Sequence, residues 1–514
     1  MQLTILSTSD THGFVLPTNY AERDQSLPFG LTRAATVLAQ HQNAATLTID
    51  NGDWLQGSPL AYYAARIAKD VTKLTDAYDA VGYDAGVLGN HEFNYGANYL
   101  QKAIAKLNYP ILCANILRDG QPAFGQPYQV FEKAGVKVAV LGLTTSYIPH
   151  WETPTNIEGL EFESAVDVAK TWVPKLHALA DVVVIAYHGG FERDLETGKP
   201  TEKLTGENVG YQLTEIPGVD ALVTGHQHRE LAGVVNGVPV TQPGYRGANV
   251  GQITLTLEST AEGWQVVQGA AQLLNTADAK SDENVTEAVA TTNDAVEAWL
   301  DSPLGHVNGD MSLHSAWQAR IHESAYIEFI NKVQMVATDT DISGTALFTN
   351  DGRGFKQTIT MRDVVTNYVY PNTLAVLKLS GADLKAALEQ NAEYFSLDDQ
   401  GQLKVTPRFE HPKPQHYNYD MYQGINYVLD ISRPVGQRVV NLTYHGQPID
   451  PNGSYEVVAN QYRAGGGGNF AMFGQSKVIR ENQKDMTELI ADYLQAHPSI
   501  DATVDNNFQV VTGM

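Results

Sequence analysis

Apolar residues recur in two rhythms along the first half of the chain. Strand-like apolar runs at 3–7, 45–49, 85–88, 136–143, 182–186 and 221–223 predict buried strands. Between them, amphipathic stretches at 29–42, 59–81 and 165–180 predict helices. Strands alternating with helices predict an α/β layered architecture, and polar residues cluster just after the strands, where such sheets place their sites. From about residue 238 to 267 the rhythm turns to short alternating strands, which predicts a closing sheet. The stretch 277–300 is polar, rich in Ala, Glu and Asp and poor in turn residues, so a partly exposed linker helix is expected. Beyond it the pattern is α+β. Helices are expected at 326–336, 382–390 and 486–497, a strand running into a helix start at 359–366, and strand pairs around 424–431 and 439–444. No internal repeat or low-complexity tract interrupts this order.

A chain of 514 residues exceeds what one core usually supports, so two domains are expected. With 43% hydrophobic and 18% charged residues it falls in the globular class. A formal charge of -24 argues against duplex nucleic acid or an anionic membrane surface as a partner. A small anionic substrate remains compatible, because a local metal cluster can outweigh the global field. The single cysteine, Cys113, sits in an apolar run that reads as core, so neither an intrachain disulfide nor a cysteine zinc site is expected. No stretch of about 18 apolar residues predicts a membrane span. The chain opens directly on its first strand and reads as cytoplasmic; a chain trimmed of an export leader would read the same. No obligate protein partner is evident.

Five motifs carry the chemistry. They are Ser9-Asp10-Thr11-His12-Gly13, Asp50-Asn51-Gly52-Asp53, Gly89-Asn90-His91-Glu92-Phe93-Asn94, His188-Gly189-Gly190 and Gly225-His226-Gln227-His228. Each follows a predicted strand and has glycine beside it, which lets side chains converge. Carboxylate, imidazole and amide oxygen together suit borderline divalent ions such as Mn²⁺, Fe²⁺ or Zn²⁺. Two such ions can clamp a phosphoryl oxygen and lower the pKa of water. Singly, each fragment also fits a helix cap, a turn or a hydrogen-bonded core histidine. Their joint order at successive strand ends is what points to a metal site. Asp50 reads as a turn or supporting carboxylate and Glu92 as a residue orienting its neighbours.

The run Asp-x-His, Gly-Asp, Gly-Asn-His-Glu, His-Gly-Gly and Gly-His-x-His resembles the calcineurin-like metallophosphoesterase superfamily. That resemblance implies a four-layer α/β/β/α domain over 1–275 and two divalent ions (Mn, Zn, Fe or Co). It implies one ion held by Asp10, His12, Asp53 and His228. The other would be held by Asp53, Asn90, His188 and His226, with Asp53 bridging. It also implies that His91, beside Asn90, contacts the phosphate and protonates the leaving oxygen, a task suited to imidazole.

The second half contains Tyr370-Pro371-Asn372-Thr373-Leu374, Tyr417-Asn418-Tyr419-Asp420 and Tyr462-Arg463-Ala464-Gly465-Gly466-Gly467-Gly468-Asn469-Phe470. Consecutive glycines let backbone approach a ligand, and flanking aromatics can stack on a base, although any one tyrosine also fits a sheet. These segments resemble the C-terminal domain of the 5′-nucleotidase family. The resemblance implies an α+β substrate-binding domain over 306–514, joined by a linker helix at 276–305 about which the domains rotate. It implies a base clamp of Tyr419 and Tyr462, with Gly465 and Gly466 lining the loop and Arg353 a phosphate or ribose contact.

Three departures from the 5′-nucleotidase pattern stand out. Asn94 replaces an Asp that pairs with the catalytic His, Gly468 replaces an Asp that binds ribose hydroxyls, and Asn350-Asp351-Gly352-Arg353-Gly354-Phe355 replaces an arginine-bearing segment. Gly-Asn-His-Glu-Phe-Asn-Tyr-Gly, Tyr-Pro-Asn-Thr-Leu and Asn-x-Tyr-Arg-Ala instead resemble the relatives that open 2′,3′-cyclic nucleotides and remove a 3′-phosphate. A carboxylate beside a phosphorylated ribose would repel it, which fits the missing Asp. The expectation is a metal-dependent nucleotide phosphoesterase favouring these substrates. The alternatives are a 5′-nucleotidase or a UDP-sugar or nucleoside diphosphate hydrolase. A non-catalytic nucleotide-binding protein would have lost ligands, and all seven residues are present.

Overall fold

The computed structural model describes every residue except Glu262, Pro412, Gln483 and Met514, and the chain divides into units Met1–Glu297 and Ala298–Met514. In the first unit two six-stranded sheets lie face to face. One runs Gly263–Asn275, Asn249–Thr260, Gln2–Thr8, Thr46–Asp50, Ala85–Val87, Ile111–Leu112; the other runs Glu230–Val235, Val238–Pro243, Ala221–Val223, Val182–His188, Val136–Thr144, Tyr128–Lys133. Strand alternation explains the stacking. Val138, Val140, Val182, Val184 and Ala186 pack with Leu3, Ile5, Leu47 and Ile49 between the sheets. Ala139, Leu141, Leu143, Val183 and Ile185 face the other way, onto the helix Ala165–His177. With both faces buried, these strands are dominated by apolar residues and buried threonines, which is why they read as strand-like apolar runs.

The central strands are parallel. Gln2–Thr8, Thr46–Asp50 and Ala85–Val87 follow one direction in one sheet, and Val136–Thr144, Val182–His188 and Ala221–Val223 do so in the other. Within each sheet, parallel strands bring their C-terminal ends to one edge, and all five motifs emerge there.

The helix expected at 59–81 is broken. Pro59–Tyr62 continues as a π-helical stretch Tyr63–Ala68, ends at Lys69 with φ 53°, and restarts as Thr72–Val81. Asp70 explains the restart, because its carboxylate accepts the N–H and the hydroxyl of Thr72. The linker helix spans Glu283–Leu300, and the division of the chain at Glu297 leaves most of it with the first unit. Val285, Val289 and Val296 form its buried stripe, and Asn293 accepts a hydrogen bond from Tyr20.

The second unit is built on a five-stranded sheet ordered Asp420–Gln423, Ile342–Ala346, Ser454–Asn460, Leu374–Ser380, Val478–Asn482. Ile342–Ala346 and Ser454–Asn460 are parallel, while Asp420–Gln423 runs against Ile342–Ala346. One edge of the sheet therefore collects the segments 347–353, 416–419 and 461–470. Arg463, 1% exposed, knits two of them together. It donates from Nε to Asp420 at 2.5 Å, from Nη2 to the Tyr417 carbonyl at 3.0 Å, and from Nη1 to the Gly467 carbonyl. Arg320, also buried, donates to Asn350 and to the carbonyls of Leu347 and Thr349. No described helix is long and apolar enough to cross a membrane.

Arg463→Met should destabilise the second unit by about 3–5 kcal/mol, because it strands a buried Asp420 carboxylate. Adding Asp420→Leu should recover most of that loss. Urea unfolding of the single and double variants measures both.

Candidate metal centre

The motifs converge through unusual backbone. Asp10, His12, Asp53, His226 and His228 all have positive φ, between 51° and 70°. Non-glycine residues rarely adopt this conformation, and holding five of them there needs the surrounding structure to enforce it. Glu92 is one enforcer. Fully buried, its carboxylate accepts the N–H groups of Asp53, Trp54, Leu55 and Gly89. Glu92 therefore fixes the backbone of two motifs, where the sequence suggested a contact orienting side chains. Gly89 and Gly225 allow the approach: a Cβ at Gly89 would lie 2.1 Å from Asp53 Oδ1, and one at Gly225 would lie 2.1 Å from Ser9 Oγ.

The candidate ligands gather in two groups. In the first, His12 Nε2 and His228 Nε2 are 3.0 Å apart, and His228 Nε2 is 3.4 Å from Asp10 Oδ1. In the second, His188 Nε2 is 3.1 Å from Asp53 Oδ2, and Asn90 Oδ1 is 2.8 Å from His226 Nδ1. Asp10 Oδ1 lies 3.9 Å from His188, which joins the groups. Donor atoms about 3.0–3.4 Å apart match the edges of a coordination shell with bonds of about 2.1 Å. Asp53 Oδ2 and His188 Nε2 are buried and face one another at 3.1 Å, a pair of inward-turned donor atoms that a cation would satisfy.

Hydrogen bonds behind the ligands set which nitrogen faces inward. His12 Nδ1 donates to the Gln56 carbonyl at 2.9 Å and His188 Nδ1 to the Asn51 carbonyl at 2.6 Å, leaving each Nε2 for the site. His226 is reversed: Nε2 faces Glu207 Oε1 at 3.0 Å, so Nδ1 faces Asn90. Rings brace the same histidines. Trp151 stacks on His226 at 5.2 Å, and Tyr245 lies parallel to His228 at 5.0 Å with the Arg246 guanidinium over it. Glu207, Trp151 and Tyr245 were not apparent from sequence, since they lie outside the strand-end motifs.

His91 belongs to the same cluster, its ring 5.1 Å from that of His12. Its N–H donates to Asp53 Oδ1 at 2.7 Å, and its Nδ1 donates to Asn94 Oδ1 at 2.7 Å. Asp50 stays behind the ligands, accepting from Tyr109 at 3.3 Å. Burial, reinforced by Glu92, pushes its carboxyl up to about 8.

Charge is distributed unevenly over the ligands. Burial disfavours a charged His188, but Asp53 and Asp10 beside it prevail and raise its pKa to about 10. His12 goes the other way, lowered to about 3 by burial and by His228. Burial opposes ionisation of Asp10 as well, yet His188 and His228 hold it well below the carboxylate range.

In the second unit the aromatic prediction needs correction. Tyr419 is fully buried, donates its hydroxyl to the Arg320 carbonyl at 2.9 Å, and packs against Tyr394 and Phe395 at 5.0 and 4.9 Å. Its ring is core and has no face for a base. The half-buried Tyr417 meets Tyr462 instead, with ring centroids 6.0 Å apart and planes at 80°. Tyr417 precedes the strand, whereas Tyr419 abuts it and is drawn into the interior. Gly465 is exposed and Gly466 has φ 95°, so both belong to the open part of the loop. Arg353 is exposed, and its backbone N–H is held by Asn367.

Comparison with known proteins follows the same division. Residues 3–230 match the profile of the calcineurin-like phosphoesterases, and residues 303–475 match the 5′-nucleotidase C-terminal domain. A 2′,3′-cyclic-nucleotide 2′-phosphodiesterase/3′-nucleotidase of Salmonella typhimurium is 30% identical, with 99% of this chain and 89% of the relative covered. The trifunctional nucleotide phosphoesterase protein YfkN of Bacillus subtilis is 28% identical over 99% of this chain, which spans 39% of that larger protein. A Staphylococcus aureus crystal structure, provisionally described as a 5′-nucleotidase in complex with α-ketoglutarate, superposes with a TM-score of 0.92. It is 38% identical, and both chains are covered completely.

Metal loading should release protons and tighten as pH rises. His188, raised to about 10, is charged near neutrality and must lose its proton to ligate, whereas His12, lowered to about 3, is already neutral. Titrating the metal-free protein with Mn²⁺ in weakly buffered indicator at pH 7 should show this release, and His188→Ala should diminish it.

Proposed function

Because the chain belongs to the calcineurin-like phosphoesterases that carry a 5′-nucleotidase C-terminal domain, we propose that it hydrolyses 2′,3′-cyclic nucleotides and 3′-nucleotides. The observation that carries the reading is the pair of ligand groups, Asp10-His12-His228 and Asp53-His188-His226, meeting at one strand edge. With Asn90 completing the second group and Asp53 shared, these residues would hold two divalent ions, with Mn²⁺, Zn²⁺, Fe²⁺ and Co²⁺ all suited to the donor set. The ions supply a nucleophile from water and positive charge for the phosphoryl oxygens. His91 meets the phosphate and gives its Nε2 proton to the departing ribose oxygen.

Tyr417 and Tyr462, set edge to face, offer the base one ring face and one ring edge, with Gly465 and Gly466 leaving the loop open. Arg353 is the exposed cation offered to a phosphate or ribose. The glycine loop supports the choice of substrate. At Gly468, φ is 73° and a Cβ would lie 2.3 Å from Asn418 Oδ1 and 2.7 Å from Arg463 Nη1. An aspartate at Gly468 would therefore collide with its neighbours, so no carboxylate from that position competes with a phosphate on the ribose.

The assay is turnover of 2′,3′-cyclic AMP, 3′-AMP and 5′-AMP with Mn²⁺, before and after chelation. The expected result is metal-dependent activity favouring the first two; a preference for 5′-AMP would reverse the substrate assignment. Tyr417→Ala and Tyr462→Ala should each raise KM roughly 5- to 150-fold, the equivalent of about 1–3 kcal/mol per base–aromatic contact. Tyr419→Ala should instead lower the unfolding midpoint, because it empties a core position.

A further inference from the structure

Asn94 does not end the hydrogen-bond chain that begins at His91. Its Nδ2 donates to Glu152 Oε2 at 2.7 Å. Glu152 is only 9% exposed, and its other oxygen, Oε1, accepts the Thr153 N–H at 2.7 Å and Asn156 Nδ2 at 2.9 Å. Burial raises the Glu152 carboxyl while the N–H groups of Asn156, Thr153 and Asn94 oppose that rise; with Oε1 taken by two of them, Oε2 accepts from Asn94 and turns its amide nitrogen toward Glu152 and its oxygen toward His91. That oxygen in turn accepts from His91 Nδ1 and keeps the opposite ring nitrogen, Nε2, turned away from Asn94. Asn156 Nδ2 also donates to the Asn94 carbonyl at 3.4 Å, which ties the Glu152 segment to the same turn. One residue before Glu152, Trp151 stacks on the candidate ligand His226.

We infer that Glu152 is a positioning residue for the reaction, acting through Asn94 to fix the ring orientation of His91 in the form protonated on both ring nitrogens, with Nδ1–H held by Asn94 and Nε2–H left to be donated. The inference rests on the proposed role of His91 as proton donor to the leaving oxygen. A carboxylate paired directly with His91 is unnecessary in this arrangement, because the negative charge sits one residue further out and reaches the imidazole through an amide dipole. The two residues are also matched to each other. In Glu152→Gln, Thr153 and Asn156 pin the amide oxygen at the Oε1 position, so the new NH2 faces Asn94 Nδ2, donor against donor. Asn94 must then flip and present a donor to His91 Nδ1. In Asn94→Asp, two carboxylates meet across a 2.7 Å contact. Combining the two changes restores a complete chain: the introduced glutamine would donate to one oxygen of the introduced aspartate, and the other oxygen would accept from His91 Nδ1.

The test measures kcat and KM of the full-length, Mn²⁺-loaded wild type and the three variants on 3′-AMP and on p-nitrophenyl phosphate. The ribose oxygen needs a proton to leave; p-nitrophenolate departs as an anion. Each single variant should lose kcat on 3′-AMP by roughly 10- to 100-fold, within the range of a general-acid contribution. That loss should exceed the loss on p-nitrophenyl phosphate at least about tenfold, with KM little changed, and the double variant should recover to within about threefold of wild type. Equal losses on both substrates, or a double variant no better than the product of the singles, would overturn the relay while leaving the phosphoesterase reading intact. A wild type inert toward both substrates would overturn the phosphoesterase reading and the relay together.

Discussion

The Glu92 carboxylate binds together two loops whose backbone N–H groups point inward at one buried spot. Asp53 sits at φ 56°, and its side chain must approach Gly89 within a distance that excludes any Cβ. By accepting N–H groups from Asp53, Trp54, Leu55 and Gly89, Glu92 satisfies four donors that a turn of this kind leaves unpaired. Four bonds to one buried carboxylate together offset the backbone strain. Asn90 and His91 fall between the anchored glycine and the anchoring glutamate. The geometry of Asp53 and that of His91 thus have a common origin.

That solution gathers acid groups where water cannot screen them. Asp10, Asp50, Asp53 and Glu92 are all buried, and like charges at such distances cannot all ionise without compensation. The molecule divides the burden. Asp50 rises to about 8 and stays neutral near pH 7, while Asp10 and Asp53 remain ionised against a charged His188. A divalent ion held by these residues would take over the positive charge that the His188 proton supplies, which would tie metal affinity to pH.

Much of this was legible in the sequence because strand ends and buried strands leave local marks. Strand-like apolar runs located the parallel strands, and the Asp, Asn and His residues immediately after them are the ones the fold gathers. What stayed hidden depends on contacts between distant segments. Glu152, 58 residues from Asn94, lies among short turns with no periodic pattern, and Glu207 sits in a long irregular connection. Tyr417 and Tyr419 differ by two positions. Only the start of the strand at Asp420, with the buried Arg320 and Tyr394 waiting beside it, decides which ring goes inside. The break at Lys69 leaves little mark in the sequence, since only the short Asp70-Val71-Thr72 turn interrupts an otherwise helical rhythm.

Substitutions at these two sites are better understood as rearrangements than as losses. At Gly468 the space for a side chain is filled by Asn418 and by Arg463, whose charge is already committed to Asp420 and to two backbone carbonyls. Restoring an aspartate there would require the whole Arg463 node to move, so the glycine is held in place by its neighbours. Asn94 is held in the same way: the acceptors of Glu152 determine its orientation, and an aspartate in its place would face a second carboxylate. In both cases the residue that departs from the 5′-nucleotidase pattern is locked by a buried charged partner. Reverting either residue alone would therefore damage the structure, and the chemistry changes only when residue and partner change together.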